Sequence, residues 1–340
     1  MGVSVRSRAP VRISFAGGGT DVSPYPEERG GCVISTAINK YSFTSLKTHD
    51  SKFIKMSTHG STELLLESME ETVMDGNFDL AKTVLMEIKP KDGLEIFFRN
   101  DVPPRSGLGS SAAGFVSLIG AFNSAYKMGF SRHKIAQLAF DLERNRLKIK
   151  GGKQDQFASA YGGFNFIEFK ENKVKVNPLR LKPAVLNELE KNLILVFTRK
   201  REKQGHDIIA DQTKSLLTKK KDVLNAFDSA KAIAIEMKNV LSKADMEGFG
   251  KLLHEGWVEK KKYSKHISNP FIDKLYEKAL HAGAIGGKIS GAGGGGHMVF
   301  YCYPDKEINV KEALASMGAT HIPFSFDFKG LQTWSVKEDD

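Results

Sequence analysis

The sequence predicts an α+β protein of two lobes, and three observations carry that expectation. The chain has 340 residues, which at roughly 150 residues per domain suits two units with ample core. Short strand-like runs crowd its early part, whereas helical periodicity dominates later, between His206 and His281. The 32 glycines exceed the usual ~7%. They gather at Gly17-Gly18-Gly19, at Gly107 and Gly109, at Gly151-Gly152 and from Gly291 to Gly296, where backbone can approach a ligand closely or take positive φ.

Residues 11–15, 33–34, 41–46 and 53–54 are apolar or alternating runs broken by Gly, Pro and Asp, the pattern of strands joined by loops. Residues 94–98 form another strand, ended by Asn100-Asp101 and Pro103-Pro104. From Ser110 the period lengthens: Ala112, Phe115, Val116, Ile119, Phe122 and Tyr126 recur at three and four residues, as one buried helix face requires. A second helix is expected over 132–147. Gly162-Gly163 opens the alternation Phe164, Phe166, Phe169, Val174, Val176, with its turn at Glu171-Asn172, a β-hairpin. A strand over 193–198 and three or four helices follow. The chain then reads as strands at 288–289 and 298–302, a helix near 306–317 and a last strand near 320–326. Pro178 and Pro183 interrupt the pattern, which sets a first unit at residues 1–185 and a second at 186–340.

Two cysteines, Cys32 and Cys302, lie far apart in the chain, which excludes a disulfide scaffold and a Cys-rich zinc module. Apolar runs such as 193–197 fall far short of the roughly 20 residues of a membrane span, and the Arg-bearing start lacks a signal-peptide apolar stretch. No membrane contact is expected, and the cytoplasm is the expected compartment. With 50 Lys plus Arg against 40 Asp plus Glu, the charge of +10 favours phosphorylated metabolites, nucleotides or nucleic acid. The basic stretches 199–203, 219–221 and 260–262 carry no interleaved stacking aromatics. They read as solvated surface rather than as a nucleic-acid groove.

The segment Pro103-Pro104-Arg105-Ser106-Gly107-Leu108-Gly109-Ser110-Ser111-Ala112 runs straight into the predicted helix. A helix start presents free N–H groups and a positive dipole end, which favour phosphate. Ser110 and Ser111 are N-cap residue types, yet Ala113 and Gly114 stand three positions on, so no capping box forms. No Gly-Lys-Ser/Thr ends the loop as in Walker A, and Ala112 occupies the place of a third Rossmann glycine. A phosphate cradle and an ordinary helix-capping connection both fit these residues. The stretch Gly291 to Gly296 contains a literal G-x-G-x-x-G but leads into a strand, so it fails the context of a dinucleotide site. A hairpin needing positive φ fits it, as does close packing against a ligand or against the central loop.

Together with Ala9-Pro10-Val11-Arg12-Ile13-Ser14-Phe15-Ala16-Gly17-Gly18-Gly19-Thr20-Asp21, these two loops resemble, in order, the three motifs of the GHMP kinases, a family that includes galactokinase, homoserine kinase and mevalonate kinase. The resemblance implies a ribosomal-protein-like N-terminal lobe and a ferredoxin-like C-terminal lobe, with ATP and Mg²⁺ between them. It places Pro104, Ser106, Gly107, Leu108, Gly109, Ser110, Ser111 and Ala112 around the ATP phosphates, and gives Mg²⁺ to Ser110 or Ser111 with Glu143. Gly152-Lys153-Gln154-Asp155-Gln156 resembles the Gly-x-x-Asp-Gln of the sugar 1-kinases, which makes Asp155 the catalytic base and Arg12 the cation beside it. Phosphoryl transfer asks for that set: a carboxylate for the metal, a carboxylate for the hydroxyl proton and a cation for the equatorial oxygens. The same side chains also have ordinary readings as surface pairs, a turn residue and half of an ion pair.

By the same resemblance, Gly18, Gly19, Thr20 and Asp21, with Gly293 and Gly294, meet the sugar, Asp21 accepting from its hydroxyls. Galactokinases carry Gly-Glu-His-Thr-Asp where this chain has Gly17 to Asp21, so galactose loses its usual partners. The longer string through Tyr25-Pro26-Glu27 to Gly30-Gly31-Cys32-Val33-Ile34 most resembles the branch that phosphorylates heptose 7-phosphates at the anomeric hydroxyl, and next the fucokinases. Lys153, Arg105, Arg29 and Arg144 are the cations weighed for the substrate's own phosphate. A silent sugar-sensing relative is the other reading, against which Asp155, Arg12 and Glu143 argue; a nucleic-acid binder rests on the charge and the ribosomal-like lobe.

Overall fold

The structure, a computed structural model, describes residues 3–59, 63–68, 71–103, 106–201, 205–218 and 220–336. Strands β1 (Ser4–Ala16) and β2 (Gly31–His49) are long antiparallel partners. The inner half of β1 is buried on both faces, because helices α3 (Ser110–Ala125) and α5 (Gln154–Tyr161) cover one side and α8 (Lys221–Ser242) and α9 (Met246–Lys261) reach the other. Residues 11–15 still alternate apolar with polar, because Arg12 and Ser14, though buried, line the cleft. The separate strands expected at 33–34 and 41–46 are one strand, β2. A register shift opposite Pro10/Val11 leaves Asn39 and Lys40 unpaired with β1, and these two polar residues interrupt the apolar pattern.

The first half of β2 pairs with β6 (Phe164–Lys170) and its second half with β5 (Gly93–Asn100), so the sheet forks. β3 (Ile54–Thr58) lies parallel to β5, with β4 (Glu63–Leu66) outside it, and β7 (Lys173–Pro178) closes the predicted hairpin with β6. A second, antiparallel sheet runs β11 (Thr320–His321), β8 (Leu193–Phe197), β10 (His297–Cys302), β9 (Ala284–Ile289). Helices α9, α10 (Pro270–Ala282) and α11 (Glu307–Ala315) pack on this sheet, around a core that includes Trp257, Ile194, Leu275 and Phe300. This two-lobed α+β arrangement agrees with the fold expected from the sequence.

Two further expectations are corrected. The strand near 320–326 shrinks to Thr320–His321, and Phe326 instead bridges to Ile38. A last strand, β12 (Gln332–Ser335), pairs with β1, so the chain leaves the second sheet and adds to the first. The helix expected over 132–147 is α4 (Arg132–Phe140) continued by a π-helical turn, Asp141–Arg146. Such turns insert a residue and re-aim side chains; here Glu143 is turned inward, 2% exposed.

Candidate active site

Helix α3 begins at Gly109, in the left-handed region at φ +78°, and no side chain caps it. Its first turn therefore presents N–H groups to the cleft rather than to a cap. A Cβ on Gly109 would lie 3.2 Å from Asp155 Oδ2, so glycine keeps that oxygen open. Asp155 stands in the first turn of α5, and Arg12 on β1 donates to it, Nε at 2.8 Å and Nη2 at 2.6 Å, both to Oδ1. The other arm of Arg12, Nη1, donates to the Gly107 carbonyl at 2.8 Å and to Ser290 Oγ at 3.3 Å. One guanidinium thus ties β1, the central loop, α5 and the third loop together. One carboxylate oxygen is held and the other is left to accept a proton.

Arg12, Gly107, Gly109, Ser110, Ser111, Glu143 and Asp155 line one cleft of about 190 Å³, together with Gly18, Gly19 and Asp21. A wider, more apolar cavity of about 560 Å³ shares Ser110, Ser111, Glu143 and Arg201 with it and is walled by Phe43, Phe78, Leu80 and Phe98. Glu143 accepts from Gln156 Nε2 at 2.6 Å. Its carboxylate and the hydroxyls of Ser110 and Ser111 are hard oxygen donors of the kind Mg²⁺ takes, one or two carboxylates sufficing where phosphates supply the rest.

Other expected residues are placed differently. Leu108 and Ala112 turn into the core, and Leu108 acts through its carbonyl, which accepts from Arg12 N at 3.0 Å. Ser106 is buried, and its carbonyl accepts from His297 N at 3.1 Å and from His297 Nδ1 at 2.9 Å. Thr20 does not face the cleft: its hydroxyl bonds Gly17 O and receives Cys32 N, so it shapes the first loop. Gly293 and Gly294 also stand away from the lining, Gly293 against Ile267 and Gly294 donating to Ile267 O. Pro104 and Arg105 lie outside the described residues.

Among the cations weighed for substrate, Lys153 turns its ammonium to Glu27 and the Glu171 carbonyl, and Arg29 is held by Asp228. Arg144 lines the cleft beside Lys150. Its Nη2 sits 3.5 Å from Glu143 and its Nη groups donate weakly to the Ile149 and Gly152 carbonyls, while its Nε is buried with no hydrogen-bond partner among the described residues.

Asp21 accepts from Gly19 N, Gln154 N and Gln154 Nε2, yet burial, followed by the nearby Asp155 charge, pushes its carboxyl above the usual range. Two cleft residues had been read as solvated surface. Arg201 has an Nη2 buried without a partner among the described residues, and burial plus Arg12 pushes its guanidinium down to about 10. Lys260 is 5% exposed and donates to Gly291 O at 2.7 Å. Its basic run hid a usable signal, since Leu253, Gly256 and Trp257 are buried at helical spacing before it, which puts Lys260 on the same face.

Comparison with known proteins agrees with this geometry. The GHMP kinases N terminal domain matches residues 78–163 and the GHMP kinases C terminal domain matches residues 237–320. The chain is 36% identical to D-glycero-alpha-D-manno-heptose 7-phosphate kinase of Campylobacter jejuni, over 98% of this chain and 99% of that one. It is 27% identical to the bifunctional fucokinase/GDP-fucose pyrophosphorylase of Arabidopsis thaliana, over 96% of this chain and 32% of that one. A solved structure, a D-glycero-D-manno-heptose 1-phosphate kinase from Bacteriodes thetaiotaomicron, superposes with a TM-score of 0.83 at 31% identity, covering 98% of this chain and all of that one. With the motif order, the uncapped helix start and the Arg12–Asp155 pair already in place, these matches establish that the chain belongs to the GHMP kinases.

Proposed function

We propose that this sugar kinase transfers the γ-phosphoryl group of ATP to the anomeric hydroxyl of D-glycero-D-manno-heptose 7-phosphate, giving the 1,7-bisphosphate. The likeness along the whole chain to the Campylobacter heptose 7-phosphate kinase carries the choice of sugar, and the Arg12–Asp155 pair facing the start of α3 supports the chemistry. The apolar cavity takes the adenine end, and the N–H groups at the start of α3 with Gly107 and Gly109 take the phosphates. Asp155 Oδ2 accepts the proton of the anomeric hydroxyl. As that oxygen bonds to the γ-phosphorus, the bond to the β,γ-bridging oxygen breaks and ADP leaves. Arg12, already fixed by Asp155 and Gly107, offers positive charge to the transferring group. Arg201, between the two cavities, adds a second cation there.

Glu143 with Ser110 or Ser111 would hold Mg²⁺, which neutralises charge on the β- and γ-phosphates when bound. The substrate's 7-phosphate meets Arg144 and Lys150 at the cleft wall, where the two cations offer charge-assisted bonds. The test is a panel of sugars with ATP and Mg²⁺, read by ADP release. The heptose 7-phosphate should exceed the unphosphorylated heptose and galactose by at least ~10² in kcat/KM, since charge-assisted contacts and orientation are lost without the phosphate. L-fucose turning over as well as the heptose phosphate would move the enzyme to the fucokinase reading, which the Arabidopsis match favours.

A further inference from the structure

Gln156 stands next to Asp155 in the first turn of α5 and is fully buried. A primary amide in such a place needs partners for its N–H groups and for its carbonyl oxygen. Among the described residues the side chain makes one hydrogen bond, from Nε2 to Glu143 Oε2 at 2.6 Å, whereas Oε1 is buried and has none. An unpaired buried carbonyl is costly, and an apolar side chain of the same size would avoid that cost. The bond to Glu143 is what the amide supplies and an apolar residue could not. Its orientation is fixed as well, because the reversed amide would set Oε1 against Glu143 Oε2, two acceptors with no proton between them.

Glu143 is a long side chain on a π-helical turn, so it needs such a partner to hold one rotamer. Arg144 Nη2 reaches the same oxygen, Oε2, at 3.5 Å, and no hydrogen bond or ion pair among the described residues reaches Oε1. One oxygen is held, and the other is left to the two cavities that Glu143 lines. Asp155 shows the same division, with Oδ1 held by Arg12 and Oδ2 open. Consecutive residues of α5 thus serve two carboxylates: Asp155 is one of them, and Gln156 steers the other. A neutral donor suits that task, since it orients the carboxylate and leaves its charge for a cation.

We propose that Gln156 is a positioning residue for the metal: by holding Oε2 of Glu143 it leaves Oε1 free for the cation, and so it sets the affinity of the enzyme for Mg²⁺. This assignment rests on the kinase reading above, in which Glu143 with Ser110 or Ser111 would hold Mg²⁺, and adds a residue that touches neither metal nor substrate. Carboxylates that bind metals are themselves hydrogen-bonded by neighbours, and losing such a neighbour commonly costs about 10- to 100-fold in metal affinity or activity. The same turn of α5 then places both the base and the support of the metal ligand, so the two cannot shift independently.

The probe is Mn²⁺, which takes the same oxygen ligands as Mg²⁺. Its binding to the full chain with ADP is read by electron paramagnetic resonance for the parent, Gln156→Met and Glu143→Gln, and calorimetry gives the Kd of metal-free ADP. Met is close to Gln in length and cannot donate. Gln156→Met should raise the Mn²⁺ Kd, and the Mg²⁺ concentration for half-maximal turnover, by at least about tenfold, with kcat at saturating Mg²⁺ within a few-fold. Metal-free ADP should keep its Kd within about twofold, a split that a merely structural role would not produce. An unchanged Mn²⁺ Kd in Gln156→Met overturns the proposal, as does an equal loss for metal-free ADP. If Glu143→Gln leaves the Mn²⁺ Kd unchanged, the metal assignment beneath the proposal falls instead. The binding arm needs no sugar, so a wrong choice of sugar leaves it decisive. Were Gln156→Met to unfold, Gln156→Asn, which keeps the amide but is one methylene too short to reach Oε2, carries the same test.

Discussion

The two glycine-rich loops that meet at the active site are alike in composition and opposite in use. In the central loop, the absent side chain at Gly109 keeps Asp155 Oδ2 open to the cleft, whereas a Cβ on Gly107 would stand 2.4 Å from the Ser290 carbonyl. In the loop joining β9 to β10, Gly291 also lines the cleft, but this loop's glycines are packed against protein. A Cβ on Gly291 would stand 2.7 Å from the Gly107 carbonyl, one on Gly293 2.9 Å from the Ile267 backbone, and one on Gly296 2.5 Å from the Ser106 carbonyl. Gly109 opens the central loop to the cleft, whereas Gly107, Gly291 and Gly296 let the two loops press backbone to backbone. Composition does not distinguish these uses, whereas what each missing Cβ would strike does.

The largest effect belongs to the group that the central loop exposes. Asp155→Asn should lower kcat by at least ~10² with ATP affinity within a few-fold, because the amide keeps the shape but cannot take the proton; pre-steady-state ADP release together with nucleotide binding checks it. Retention of about a tenth of the parent kcat would remove Asp155 from that role. Next, Gly109→Val should weaken ATP binding by more than about tenfold while lowering the ligand-free Tm only modestly, since the branched side chain blocks phosphate and crowds Asp155. Gly291→Ala should behave otherwise. Its Cβ meets backbone and its φ is +80°, so Tm and ATP affinity should fall together, by roughly 1–3 kcal/mol of stability. Equal behaviour of the two variants would dissolve the contrast between the loops.

The smallest effect is a pH dependence at the joint between the loops. His297 donates from Nδ1 to the Ser106 carbonyl in its neutral form, and burial, with Arg201 nearby, pushes its imidazole below its ordinary 6.5. The unfolded chain therefore holds the proton to higher pH than the folded one. The neutral joint contributes fully above pH 6.5, and its contribution is lost as pH falls below that value. Between pH 7.5 and 5, thermal melts should show the parent losing on the order of 1 kcal/mol more stability than His297→Gln. Parallel slopes would show that His297 does not titrate in folding.

Much of the architecture was readable because burial and period agree. The 11–15 run lies between helices, α3 repeats at three and four residues, and the hairpin at 171–172 turns where alternation stops. In the cleft, the residues read from motifs, Arg12, Gly109, Glu143 and Asp155, do converge. What stayed hidden needed contacts distant in sequence. Arg201 and Lys260 belong to basic runs that composition assigns to water, and only their packing against the glycine loops removes them from it. The π-helical turn that points Glu143 inward has no pattern of its own, since Asp141 to Arg146 is polar throughout except Leu142. β12 reads Gln-Thr-Trp-Ser and becomes a strand because β1 offers it an edge.

That returning strand orders events in synthesis. β12 supplies one edge of the first sheet through pairs such as Arg8 with Gln332, and the neighbouring Leu331 seats its side chain where α3 has Gly120 in place of a larger residue. Within this chain, β1 is made before the second lobe, and its pairing with β12 forms only after that lobe. Until then the outer edge of β1 offers unpaired N–H and C=O groups to any passing strand, and the nascent first lobe waits, incomplete, for residues translated some three hundred positions later.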